Sequence, residues 1–201
     1  MRDRGITQPA LKAGIALAAA LAGAAALAWS FADGAPPAAR TPGAMALVLG
    51  TLAALNYLYA QSLMTRIRRG ENLVARWRVS PSILARFEQA ERARKRGKNN
   101  WGGWRKQRPQ GLEVIFARDA VVVGDTYFTL RKGGMSRVTH VHIERGAVDH
   151  IQFAMTLTIA GAGAQGHTAR YRGHLRIPVA DNAAVEAARV VAHFAGPHPG
   201  G

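Results

Sequence analysis

The apolar positions of this chain change their rhythm twice. The N-terminal third holds two long uncharged runs, the middle is broken by charge, and from residue 111 apolar and polar positions alternate. Residues 13–32 carry no charge and 11 alanines, with Leu17, Leu21, Leu27, Trp29 and Phe31 among them. Residues 41–65 are also uncharged and richer in leucine. A helix of about 20 apolar residues crosses the hydrocarbon core of a bilayer. The pattern therefore predicts two transmembrane helices, spanning residues 13–32 and 43–64. Between them lies a short turn, Asp33 to Gly43, holding Pro36, Pro37 and Pro42. So short a link makes the two helices antiparallel neighbours.

Helix one is rich in small residues. Gly14, Ala18, Ala22 and Ala26 recur at intervals of four, as do Ala16, Ala20 and Ala24. Such spacing lets helix backbones approach closely, within the hairpin or between copies of the chain. Asn56 is the only strongly polar side chain deep in either run, and its amide suits a hydrogen bond to helix one or to a second copy.

In the middle segment, Leu73, Ala75, Trp77 and Val79 alternate with Val74, Arg76 and Arg78, which reads as a strand over 72–79. Ser80-Pro81 then opens a helix, with Ser as N-cap and Pro at the first helical position. Val79 and Leu84 occupy the positions of a hydrophobic staple. Ile83, Leu84, Phe87 and Ala90 form the apolar stripe, while Arg86, Glu88, Glu91 and Arg92 are expected to face elsewhere. The helix runs out into Arg94-Lys95-Arg96-Gly97-Lys98 and a loop through Trp101 and Trp104 to Pro109.

From residue 111 the period is two. Leu112, Val114 and Phe116 start it, short strands follow at 121–123 and around Tyr127, and another covers 138–144. Ile151, Phe153, Met155, Leu157 and Ile159 give the cleanest alternation in the chain. Leu175, Ile177 and Val179 continue it in a last strand. Turn signals at regular intervals indicate antiparallel β structure. A final helix is expected with Asp181 as its cap, Ala187, Val190, Val191 and Phe194 as its apolar face, and Gly196-Pro197 as its stop.

This order is similar to that of the bacterial membrane-anchored pleckstrin-homology-like (PH-like) proteins, in which two transmembrane helices precede a seven-stranded barrel closed by a helix. The matching pieces are the span pair, Gly70 to Trp77, Leu175-Arg176-Ile177-Pro178-Val179 and the closing helix. The helix after the first strand departs from the simplest plan of that family. The resemblance implies an α+β fold: a transmembrane hairpin over residues 1–65, a basic juxtamembrane segment over 66–110, and a β-rich domain over 111–201. Strand 72–79 joins that last domain. No lipid-site residue carries over from the family.

Charge adds a location to this outline. The chain has 27 Lys+Arg against 12 Asp+Glu, a formal net charge of +15. Residues 65–109 hold 14 of the basic and 3 of the acidic side chains, or +11, while the segments before and after hold +2 each. Arg66, Arg68 and Arg69 follow the second span at once, and only Arg40 lies in the connecting loop. Positive charge marks the cytoplasmic side. Both termini are therefore expected in the cytoplasm, in a bacterial inner membrane given the bias to 39 Ala and to 22 Arg over 5 Lys. An alternative first span is a cleaved signal peptide ending at Ser30-Phe31-Ala32. Cleavage leaves the orientation of the second span unchanged.

The cations and indoles of the middle segment suit an anionic membrane interface. The expected lipid contacts are Arg66, Arg68, Arg69, Arg94, Lys95, Arg96, Lys98, Trp101, Trp104, Arg105, Lys106 and Arg108. Two other readings stand beside it. One is a solvated basic loop with Trp101 or Trp104 in the domain core. The other is binding of a nucleic-acid strand through residues 92–108, against which the adjoining span favours lipid. Arg170, Arg172, His174 and Arg176 share one strand face, a candidate surface for a partner.

Catalytic signals are sparse. The chain has no cysteine, which excludes disulfides, thiolate metal sites and a thiol nucleophile. Gly161 to Gly166 spells GxGxxG, but a strand follows where a dinucleotide loop requires a helix. His140 and His142 share a strand face with Glu144, a partial metal-ligand set that would suit a metal-dependent enzyme or binding module. No P-loop, HExxH or GxSxG occurs. No cofactor is expected, and the pattern favours a non-catalytic binding or scaffolding module in the membrane, contacting anionic lipid headgroups and a membrane-protein partner or a second copy through the Ala/Gly-rich first span.

Overall fold

A computed structural model describes residues 5–32, 38, 40–94, 97–102, 109–131, 133, 136–159 and 169–196. The chain forms two compact units, Ile6–Arg66 and, with the first five residues, Ile67–Gly201. The described residues are of α+β class, with four helices and antiparallel strands.

The N-terminal unit holds a two-residue strand, β1 (Ile6–Thr7), then α1 (Pro9–Trp29) and most of α2 (Arg40–Arg68). Both helices are long and apolar enough to cross a membrane. They begin earlier than the uncharged runs suggested. Pro9 starts α1 because the first turn has no use for the missing amide N–H, and α2 takes in Pro42 near its start for the same reason. The helices pack antiparallel through small residues. A Cβ added to Gly23 would lie 2.5 Å from the Leu47 backbone nitrogen, and one on Gly50 would lie 2.7 Å from that of Ala20. Of the two small-residue rows in α1, the one at Ala16 and Ala20 is thus used, joined by Gly23, while Gly14 faces open space. Large apolar side chains point outward: Leu17, Leu21, Leu49, Leu52, Leu55 and Leu58 are 53–63% exposed.

In the second unit, Gly70 takes a left-handed φ of 90° and its N–H bonds to the Ile67 carbonyl, ending α2. β2 (Leu73–Val79) pairs antiparallel with β3 (Leu112–Ala117), which pairs with β4 (Ala120–Val123), which pairs with β5 (Thr126–Thr129). A second antiparallel sheet is β6 (Ser136–Glu144), β7 (His150–Ile159) and β8 (Ala169–Pro178), in that order. The seven strands and closing helix expected of this unit are present. Barrel closure is not: among the described residues the two sheets stay separate.

α3 (Pro81–Ala93) follows β2 as expected, and the Ser80 hydroxyl accepts a hydrogen bond from the Ile83 N–H. α4 (Ala184–Ala195) buries Ala187, Val190 and Phe194 on β2 and β6. Its N-cap is Ala183 with no side-chain cap, so Asp181 sits in the preceding turn and not at the cap. The core joins both sheets, α3 and α4. Phe116 stacks on Phe153 at 5.9 Å, and the Phe194 edge meets both rings. Fully burying one such ring is worth roughly 1.5–3 kcal/mol.

Candidate functional site

The charged residues of the second unit divide into a buried network and an exposed set. The network is built where the end of α3 meets the polar face of the second sheet. Strand pairing places Glu144 beside His150, and His142 beside Gln152 beside Arg176, on that face. Glu91 comes down onto it from α3. Its side chain is 3% exposed, and both carboxylate oxygens accept from Arg176 Nη1, at 3.2 and 3.3 Å. Arg176 Nε donates to Gln152 Oε1 at 2.6 Å. Arg94 bridges outward, with Nε 3.1 Å from Glu91 and Nη2 2.7 Å from Glu144. His150 is buried, its Nδ1 bonds to the Val148 carbonyl at 3.0 Å, and its Nε2 lies 3.2 Å from Glu144. A carbonyl only accepts, so Nδ1 carries a proton.

The loop after α3 is stitched to the edge of β8. The Asn99 amide donates to the Arg176 carbonyl and accepts from the Arg176 N–H, replacing a missing strand neighbour. Asn99 also accepts from the Trp101 N–H, and the Asn100 N–H bonds to the His174 carbonyl at 2.7 Å. Gly173 makes room for this crossing, since a Cβ there would lie 2.5 Å from the Asn100 amide.

Electrostatics follow the packing. The hydrogen bond from Arg94 holds the Glu144 carboxyl below its ordinary range, with the charges of His150, Arg94 and Arg176 assisting against the opposing effect of burial. Burial pushes His174 down, and the positive charge of Arg176 adds to that. Burial also lowers Arg176, while the Glu91 carboxylate pulls it back up. A guanidinium stays charged in proteins, so the Arg176–Glu91 pair is an ion pair.

This geometry reassigns three sequence expectations. Trp101 is fully buried, 6.4 Å from the Phe87 ring, and belongs to the core rather than a membrane interface. Arg176 is 3% exposed and belongs to the network rather than a partner face. Arg94 is committed to two carboxylates. Glu91, expected to face away, is buried; its place four residues after Phe87 and eight after Ile83 was the signal for it. Nothing in the sequence marked the bond between Asn99 and the β8 backbone.

The remaining predicted residues lie at the surface or outside the described set. Arg66, Arg68, Arg69 and Lys98 are exposed, and Arg68 Nη2 donates to the Gly124 carbonyl at 2.9 Å. Arg170 and Arg172 are exposed and His174 is half-buried. Lys95, Arg96, Trp104, Arg105, Lys106 and Arg108, with the glycine-rich stretch 161–166, lie outside the described residues.

Two other features carry titratable side chains. The His140 and His142 rings stand 5.1 Å apart, yet among the described residues no three His, Asp or Glu side chains converge to hold a metal. A cleft of about 420 Å³ lies between the β6–β7 turn and the start of α4. Arg86, Arg145, Asp149 and Asp181 line it over Val148 and Ala187. Its two positive and two negative groups balance, and it holds no nucleophile paired with a base. No protein-family model, curated protein or solved structure matches this chain.

Proposed function

We propose that this protein is a two-pass inner-membrane protein whose C-terminal unit works in the cytoplasm as a non-catalytic binding or scaffolding module of PH-like type. The observation that carries this reading is the outward face of the helical hairpin. Leucines more than half exposed along two helices of this length are unfavourable in water and favourable in hydrocarbon. Arg66, Arg68 and Arg69, all exposed, cluster where α2 ends, the place at which cations meet anionic headgroups. Each such cation near the surface is worth about 1 kcal/mol. Lys98 adds to this set. On the β module, Arg170 and Arg172 offer charge to an acidic protein partner, whereas the buried network serves to hold α3 and its following loop on the sheet.

The test is lipid co-purification. The full chain is extracted from membranes that withstand an alkaline wash, and its retained lipids are weighed by mass spectrometry. Enrichment of anionic lipid is expected, with a marked loss in the Arg66→Ala/Arg68→Ala/Arg69→Ala variant. A chain removed by the alkaline wash, or one with the same lipid profile after triple substitution, would contradict the reading.

A further inference from the structure

We propose that α2 pairs with α2 of a second copy, in parallel, through a seam centred on Asn56. This rests on the membrane reading above and adds to it a partner and a surface.

The inner side of α2 is already occupied. Gly43, Gly50 and Ala54 are buried, and the two glycines meet α1 directly. On the opposite side lie Met45, Leu49, Leu52, Asn56 and Tyr59, spaced by four, three, four and three residues. That is the a/d rhythm of a coiled-coil seam. Its other four members are 57–63% exposed, so nothing in the hairpin covers them.

Asn56 distinguishes this row from an ordinary lipid-facing surface. It lies ten residues before Arg66, about 15 Å along the helix and so near mid-span. Two threonine hydroxyls of α2 are satisfied locally: Thr51 donates to the Leu47 carbonyl and Thr65 to the Gln61 carbonyl. The Asn56 side chain is exposed and makes no hydrogen bond among the described residues, so helix one does not serve as its partner. Hydrocarbon offers none either.

The missing partner must supply both a donor and an acceptor at the same depth. Copies inserted by the same signals share one orientation. A two-fold axis along the membrane normal therefore brings Asn56 opposite Asn56, and each amide offers what the other lacks. A single Asn in an a/d seam fixes register and favours a defined oligomer. The complementarity thus names the occupant: the same helix of a second copy.

The absence of cysteine makes the test direct. Single cysteines are placed at Leu49, Leu52, Asn56 and Tyr59, and at Thr51 and Leu58 as off-seam controls, in the full chain in native membranes. Oxidation should link the seam positions into dimers and leave the controls monomeric. Separately, the dissociation constant of the cysteine-free chain is measured by energy transfer between labelled copies in vesicles. Asn56→Leu should weaken it about three- to thirty-fold, and Asn56→Gln should restore part of the loss. Cross-links favouring the controls, adducts only to another protein, a monomer at every density, or an Asn56→Leu variant as tight as the parent would each overturn the proposal. Retention after alkaline washing is scored in parallel. A monomer retained in the membrane sinks only this inference, while a chain washed off sinks it together with the membrane reading.

Discussion

Glu91 and Arg176 show how burial decides what a charged side chain is for. Either residue alone would be costly in the core, and together they tie α3 to β8. Breaking a buried pair costs about 3–5 kcal/mol, because the survivor is left uncompensated. Arg94 remains beside Glu91, so Arg176→Met should fall at the lower end of that range, read from denaturant unfolding by tryptophan fluorescence. The double variant Glu91→Leu/Arg176→Met should recover most of the loss; equal loss in both would argue against the pair as the cause. Acid should also weaken this unit, through two groups of depressed pKa. His174 is held below 6.5, so below that pH the unfolded chain takes up a proton that the folded one resists, and stability falls. Glu144 is held below 4.5, so its contribution is complete above that pH and is lost as pH falls through the folded value. The unfolding midpoint should therefore drop in two stages. His174→Gln should flatten the upper stage and Glu144→Gln the lower; a midpoint constant from about pH 7 to pH 5 would contradict the first assignment.

Elements were legible where a local rule determines them. Ser80-Pro81 stated the start of α3, and the alternation from Leu73 to Val79 stated β2, because capping and pleating act within a few residues. The two apolar runs stated α1 and α2 by length alone. The uncapped start of α4 was missed because Asp181 has the right chemistry two residues too early. Trp101, Glu91 and Arg176 were misplaced for a different reason: their burial depends on partners up to 85 residues away in sequence, which no local period records. Sheet closure is equally non-local, and seven strands did not dictate a barrel. Gly111 shows the local case at its sharpest. Its φ is 78°, and a Cβ there would lie 2.4 Å from the Val79 carbonyl oxygen, where β2 and β3 meet. Gly111→Ala should destabilise by at least about 1 kcal/mol, whereas Gly133→Ala, facing open space and free of a left-handed φ, should not lower the unfolding midpoint.

At the scale of the molecule, the charge and the apolar surface lead to one account. The formal excess of positive charge is +15. Arg176 and Arg94 are paired with Glu91 and Glu144 inside the second unit, whereas Arg66, Arg68 and Arg69 stand exposed at the end of α2. Exposed leucines occupy the helices that precede it. The anchored module with cytoplasmic termini proposed above would account for both. The most direct test uses the cysteine-free background to place one thiol in the interhelical link, Ala38→Cys, and another on the β module, Arg172→Cys, both at exposed positions. Intact cells are treated with a membrane-impermeant maleimide before and after permeabilisation. The account predicts that Ala38→Cys reacts in intact cells and that Arg172→Cys reacts only after permeabilisation. Labelling of Arg172→Cys in intact cells, or protection of Ala38→Cys until the membrane is opened, would contradict it.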